Sequence, residues 1–480
     1  MKRIFSLALL VAMALGAVAQ TSLPVSGSWL NLFYQDVRNK YTNPQYLDNS
    51  EADLWRAKVD QMHRMGIEYI VFMAVANEGL AAYPSEIMPH TYPDGCVSPV
   101  EAVIRQAEKN GQKVFLSIGW AENQDDNLKR PEILNRQLQI MDELAKLYGN
   151  SPAAFGWYLP VEDCLGPVLP ETSVVAVNKL VAKAHEITPG MKTMISPYGF
   201  FCSEFDNPEF GRQIQRLNVD IIAYQDEVGC VREDYPLPEL RKKWHKVKQI
   251  HDACGIELWA NCELFAWEKD TNSRESALIP AAPGRIIGQL QAATDGGVSR
   301  IISFMTTGII DDYSDAYRLG QPGVTKFVAN EYAKWRAGDE KYCLLEQSMR
   351  GTLANKVAID GNPLFDGKYG QETPDDLAWK IFKGPKSEIE VPTAGATQLF
   401  VRFLDCHKDG FVVPYKIGIS VPDASGHYRL VSVVDITPFP NNRHDAWVEP
   451  CLLTVPSAEN VKLTMLCDGY AVAVDEVVVR

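Results

Sequence analysis

Three places in the sequence bring carboxylates to the end of an apolar run. FGWYLPVE (155 to 162) ends on Glu162 and is followed by Asp163, ELWANCEL (257 to 264) carries Glu263, and DIIAYQDE (220 to 227) carries Asp226 and Glu227. Paired carboxyl groups can divide labour: one kept protonated gives up a proton, while the other, ionised, acts as base or nucleophile. If the runs are strands, side chains alternate between faces. Glu162 then shares a face with Tyr158, Asp163 points the other way, and Glu263, Asn261 and Trp259 share one face. A single acidic residue at such a position is as readily explained by a helix cap or a pairing with arginine. Glu at the ends of two such runs is harder to explain that way.

The elements that would hold these residues follow a rhythm. From Gly27 to Trp335, short β-rich runs alternate with longer segments of helical period, eight times. The strands read as 28 to 34, 68 to 75, 113 to 120, 155 to 162, 192 to 199, 220 to 227, 257 to 264 and 300 to 307. Helices are expected over 51 to 65, 99 to 110, 135 to 148, 173 to 187, 237 to 254, 283 to 294 and 324 to 336, several handing over to the next strand through glycine. Eight alternations predict an α/β fold, a (β/α)8 TIM barrel spanning 20 to 338. A doubly wound sheet would usually carry a glycine-rich nucleotide loop after its first strand, and here YQDVRNKYTNPQYLDN follows instead. In a barrel, chemistry sits at the C-terminal strand ends, which places the carboxylates at the mouth.

From 343 to 480 the texture changes to short alternating runs such as QLFVRFLD, YKIGISV and VKLTMLCDG, separated by Gly, Pro and Asn, with no strong amphipathic helix. This predicts an all-β sandwich of jelly-roll type. The stretches NPLFDGKYGQETPDDLAWKIF and AVAVDEVVV resemble galactose-binding-like jelly rolls, which implies either a sugar-binding module or a structural appendage.

Lys2 and Arg3, the apolar run from Ile4 to Leu15 and Ala17-Val18-Ala19 read as a signal peptide over 1 to 19, so the chain is expected to be exported, periplasmic or extracellular. No later segment suggests membrane insertion. The net charge of -14 disfavours nucleic acid as a partner. Ten cysteines are scattered singly and are expected chiefly as buried free thiols, and eight dispersed histidines offer no metal site or Cys-His dyad. No cofactor is expected.

The pairing of Glu162 with Glu263 at strands four and seven resembles the large clan of retaining glycosidases with a strand-four acid/base and a strand-seven nucleophile. That clan usually has Asn directly before the strand-four Glu, where this chain has Val161. Over most of the barrel, GWYLPVED (156 to 163), ISPYG (195 to 199), AYQDEVG (223 to 229) and LWANCELF (258 to 265) resemble an uncharacterised family of glycosidase-like barrels with a C-terminal β-sandwich, found in gut bacteria of the Bacteroides kind, domain of unknown function 4434. The resemblance implies a hydrolase of oligo- or polysaccharides, with Glu162 as acid/base and Glu263 as nucleophile. In a retaining enzyme the two carboxyls stand ~5 to 5.5 Å apart. Asp226 is a third candidate, tuning the pair or serving as the acid of an inverting variant at ~6.5 to 9.5 Å.

A carbohydrate partner suits the residues around these strand ends. Sugars stack C–H faces on aromatic rings and need planar polar partners for their hydroxyls. Tyr34, Trp120, Tyr158, Tyr198, Tyr224, Trp259 and Phe265 supply rings, and Gln225 and Asn261 supply amides, although half of the aromatics could equally be barrel core. The alternative function is a non-catalytic glycan-binding protein using the same aromatic cleft.

Overall fold

The computed structural model describes residues 22–33, 51–119, 130–230, 236–268, 277–310, 317, 319–320, 322–436 and 446–480. The N-terminal apolar run therefore lies outside the described residues, as do Tyr34 and Trp120.

Eight parallel strands close into a barrel: β1 (Val25–Leu30), β2 (Tyr69–Phe72), β3 (Lys113–Ser117), β4 (Ala154–Tyr158), β5 (Lys192–Ile195), β6 (Ile221–Gln225), β7 (Glu257–Glu263) and β8 (Arg300–Phe304), each paired with its sequence neighbours and β8 with β1. Helices follow the strands: α1 (Ala52–Arg64), α2 (Pro99–Asn110), α3 (Pro131–Tyr148), α4 (Glu171–Ile187), α5 (Pro208–Arg216), α6 (Leu237–Cys254), α7 (Pro283–Asp295) and α8 (Pro322–Arg336). The local signals are legible in α2. Ser98 accepts from the Glu101 amide at 3.1 Å, Pro99 opens the first turn, and Gly111 at φ 71° closes the last.

Every strand stops before its expected end. The apolar character runs on because the following segments still cover the core: Leu159, Val161 and Leu165 are buried beyond β4. The helix α5 lies between β5 and β6, where none was expected; it is short, and only Phe210, Gln213 and Ile214 on it are buried, too few to mark a period.

Two apolar clusters separate the inside of the barrel from its shell. Trp29, Tyr69, Phe115, Tyr158, Met194, Ile221, Ala223, Trp259 and Ile302 fill the interior, while Trp157, Tyr224, Trp244 and Leu258 pack between sheet and helices. Phe155 belongs to the interior, edge-on to Tyr69 at 5.4 Å, because the pairing of β3 with β4 shifts register between Val114 and Phe115. Strict alternation would have turned it outward with Trp157; one extra residue in the strand reverses that.

The chain continues through α9 (Glu340–Met349) into two antiparallel sheets. One has the order β9-β16-β11-β14, from β9 (Lys380–Lys383), β11 (Gln398–Asp405), β14 (Trp447–Thr454) and β16 (Ala471–Val479). The other has the order β10-β15-β12-β13, from β10 (Lys386–Pro392), β12 (Lys416–Pro422), β13 (Tyr428–Asp435) and β15 (Asn460–Leu466). Their inner faces make one core of Val391, Leu399, Phe403, Ile417, Leu463 and Val474, the expected sandwich. Leu344 and Leu345 of α9 pack on Phe400 and Val478 of the first sheet. No helix among the described residues is long and apolar enough to cross a membrane.

Candidate active site

Glu162 lies four residues past the end of β4, partly exposed, and its carboxylate is gripped from inside the barrel. The Tyr158 hydroxyl, fully buried at the last position of β4, donates to Glu162 Oε1 at 2.8 Å, and the Tyr158 ring stands edge-on to Trp29 of β1 at 5.5 Å. Burial pushes the Glu162 carboxyl up to about 7, with the Tyr158 hydrogen bond working in the opposite direction. Asp163 turns away from the Tyr158 contact and accepts from the Ser173 hydroxyl in the first turn of α4, a side-chain bond that leaves the helix end itself without a side-chain cap.

Glu263 is the last residue of β7 and is buried. Its Oε2 accepts from the Cys230 amide, and Gly229 makes that approach possible: a Cβ there would stand 2.9 Å from Glu263 Cβ and 2.6 Å from the Phe265 carbonyl oxygen. Burial holds the Glu263 carboxyl well above its usual range, and the neighbouring charges of Asp226 and Glu227 add to the effect.

Asp226 is not at the mouth. On β6, Ala223 faces the interior with Ile221, so Tyr224 and Asp226 face the helices. Asp226 is fully buried, accepting from the Gln289 amide of α7 at 2.8 Å, from the Glu263 backbone N–H at 3.1 Å and from Val228 N–H at 3.3 Å. Arg285, also on α7, donates to the carbonyls of Val228 at 2.8 Å and Glu263 at 3.1 Å. These two α7 side chains and Asp226 brace the ends of β6 and β7 from behind. The third carboxylate on the mouth side is Glu227, at φ 57°, which accepts from the Phe201 amide at 2.9 Å. Burial raises its carboxyl as well. Its charge acts on both Glu263 and Tyr198, and the charge of Glu162 also acts on Tyr198. Glu162, Tyr198, Glu227 and Glu263 thus follow β4, β5, β6 and β7 along one continuous arc of the rim. The run AYQDEVG points to Asp226, yet it is Glu227 that faces the mouth; a left-handed residue leaves no mark in an alternation pattern.

The expected sugar-stacking rings divide. Tyr198 is 41% exposed at the rim. Tyr224 is core: its hydroxyl meets His251 Nε2 at 2.9 Å and its ring packs near Phe200 and Trp244. Trp259 is core too, plugging the barrel beside Tyr69 at 5.2 Å and Phe115 at 5.9 Å, with the Arg300 guanidinium 5.7 Å from its ring. Tyr69 and Arg300 are the first residues of β2 and β8, and Trp259 pairs in register with Arg300, so Trp259 lies towards the N-terminal end of the barrel, away from the mouth. Phe265 is buried against Phe304 and Trp267. Asn261 is buried and structural, donating to Ser196 Oγ at 3.2 Å and accepting from Phe304 N–H at 2.8 Å, while Gln225 donates to the Ser196 carbonyl at 2.8 Å. Among the described residues no group of three or more His, Cys, Asp or Glu is placed to hold a metal ion.

A family model described as "Domain of unknown function (DUF4434)" matches residues 25–315. No curated protein matches the chain by sequence. Among solved structures, a candidate alpha-L-fucosidase from Bacteroides thetaiotaomicron is similar at 20% identity and a TM-score of 0.52, covering 66% of this chain and 94% of that one. A glycoside hydrolase family 5 protein from Bacteroides vulgatus is similar at 10% identity and a TM-score of 0.40, covering 87% of this chain and 86% of its own. At 20% identity the likeness to the first of these is one of fold.

Proposed function

The chain belongs to the DUF4434 family, and from that premise we propose that it is a glycoside hydrolase acting on an oligo- or polysaccharide with retention, with Glu162 as acid/base and Glu263 as nucleophile. The observation that supports this most is the state of Glu162: a carboxyl in the loop after β4, raised to about 7 by burial, holds its proton near neutral pH as a general acid must.

In the first step Glu162 gives its proton to the glycosidic oxygen as the Glu263 carboxylate attacks the anomeric carbon. The C–O bond to the leaving sugar breaks and a glycosyl ester forms on Glu263. In the second step the Glu162 carboxylate takes a proton from water, whose oxygen attacks the same carbon and releases Glu263. The active microstate is therefore Glu162 protonated with Glu263 ionised. Since burial and the charges of Asp226 and Glu227 also hold Glu263 up, only part of the enzyme is in that state at any pH, and a bell-shaped profile follows. Tyr158 positions Glu162, Asp226 anchors the strand end that carries Glu263, and Tyr198, exposed beside Glu162 and Glu227, is the ring offered to a sugar face.

The test is a broad glycan panel with wild type beside Glu162→Gln and Glu263→Gln. Turnover by wild type and its loss in both variants supports the assignment; turnover surviving in either variant overturns it. Binding without cleavage by wild type would replace it with a non-catalytic glycan-binding protein.

A further inference from the structure

We propose that Cys164 and Cys202 are a redox pair that closes into a disulfide, clamping the loop after β4 to the loop after β5 at the rim of the mouth. Their sulfurs stand 3.7 Å apart. The two loops are already laid side by side: Cys164 bridges to Tyr198 in parallel fashion, the Leu165 amide donates to the Tyr198 carbonyl at 2.8 Å, and the Glu204 amide donates to the Pro167 carbonyl at 3.1 Å. Each sulfur also lies against a glycine of the opposite loop. A Cβ on Gly166 would fall 2.3 Å from Cys202 Sγ, and one on Gly199 would fall 2.6 Å from Cys164 Sγ. The missing side chains leave the space in which both sulfurs sit and can turn towards the ~2.05 Å separation of a disulfide.

The expectation of buried thiols does not hold at this pair: Cys202 is exposed and Cys164 half-buried, so an oxidant reaches them. With a small-molecule disulfide such as glutathione disulfide, the Cys202 thiolate attacks one sulfur and releases one glutathione thiolate, leaving a mixed disulfide. The Cys164 thiolate then attacks the Cys202 sulfur and releases the second glutathione. The protein loses two protons and two electrons, and glutathione disulfide is reduced to two thiols. Burial and the contact with Cys164 hold the Cys202 thiol above its usual range, so the reaction quickens as the pH rises.

The clamp bears on the rim because of what each loop carries. Cys164 follows Glu162 by two residues, and Cys202 directly follows Phe201, whose amide holds Glu227. The bond also closes a segment whose ends are 38 residues apart, which restricts the unfolded chain. The inference stands apart from the hydrolase reading, since its readout is covalent.

The full chain is incubated with glutathione disulfide or with a dithiol reductant, alkylated under denaturing conditions and mapped by peptide mass spectrometry. Wild type, Cys164→Ser, Cys202→Ser and the double variant are compared, and thermal unfolding is followed in parallel. The expected result is a peptide pair linked through Cys164 and Cys202, and a melting midpoint several degrees higher for oxidised than reduced wild type. That difference should vanish in the double variant. Full alkylation of both residues after oxidation, glutathione left on either of them, or a link from either to another cysteine overturns the pair. A link that forms without moving the midpoint overturns the clamp.

Discussion

Replacing Glu162 by Gln should stabilise the protein at alkaline pH and leave it unchanged in acid. The folded chain holds the Glu162 proton up to about 7, whereas an unfolded chain releases it near 4.5, so between these values the folded state binds more protons. Stability from this group is therefore lost as the pH rises through that window. The displacement from 4.5 to about 7, at about 1.4 kcal/mol per pH unit, amounts to roughly 3 kcal/mol of destabilisation above the window. Part of Glu162 remains open to the mouth, which makes this an upper bound. Gln is isosteric, is never charged, and keeps an oxygen to accept from Tyr158. Thermal or urea unfolding of wild type and Glu162→Gln at pH 4 and pH 8 checks the prediction. The variant should be the more stable at pH 8, by up to ~3 kcal/mol, and within error of wild type at pH 4. Equal stability at both values, or a variant weaker at pH 8, would refute a Glu162 carboxyl raised by burial and with it the argument for a general acid. The assay needs no substrate, so it remains decisive if the glycan panel is silent.

Three further outcomes follow from the same geometry. Tyr158→Phe removes the donor that stabilises the Glu162 carboxylate, so the limb of kcat/KM that reports Glu162 should move upward from about 7. A hydrogen bond to a charged group is worth ~1.5 to 3 kcal/mol, hence roughly one pH unit or more. Glu227→Gln removes a like charge from beside Glu263 while keeping an acceptor for the Phe201 amide, so the Glu263 carboxyl should fall and the limb of the same profile that reports it should shift to lower pH. Trp259→Ala should cost ~3 to 5 kcal/mol in chemical denaturation, as a large buried ring does, with glycan affinity of the folded fraction unaltered; weakened affinity at unchanged stability would return Trp259 to the mouth.

The sequence by itself determined the barrel, the sandwich and which strands the carboxylates accompany. Alternation between β-rich runs and amphipathic helices is a property of local residue order, and helix ends such as Ser98-Pro99 and Gly111 are written in single residues. The side of the sheet on which a given residue falls was decided only by the tertiary structure. Strands of a parallel barrel are buried on both faces, against the interior and against the helices, so DIIAYQDE is apolar on both and its alternation does not say which is which. Closure turned Ala223 inward, and Tyr224 and Asp226 with it to the helices, where Gln289 fixes the carboxylate. In β4 the shift of register beside Phe155 undid strict alternation, and the strand stopped at Tyr158. Glu162 therefore reaches the mouth from the loop beyond, held by the hydroxyl of the residue four places before it. Glu227 enters the site because a left-handed turn carries it past β6 to the amide of Phe201, a contact between segments 26 residues apart that no local pattern records.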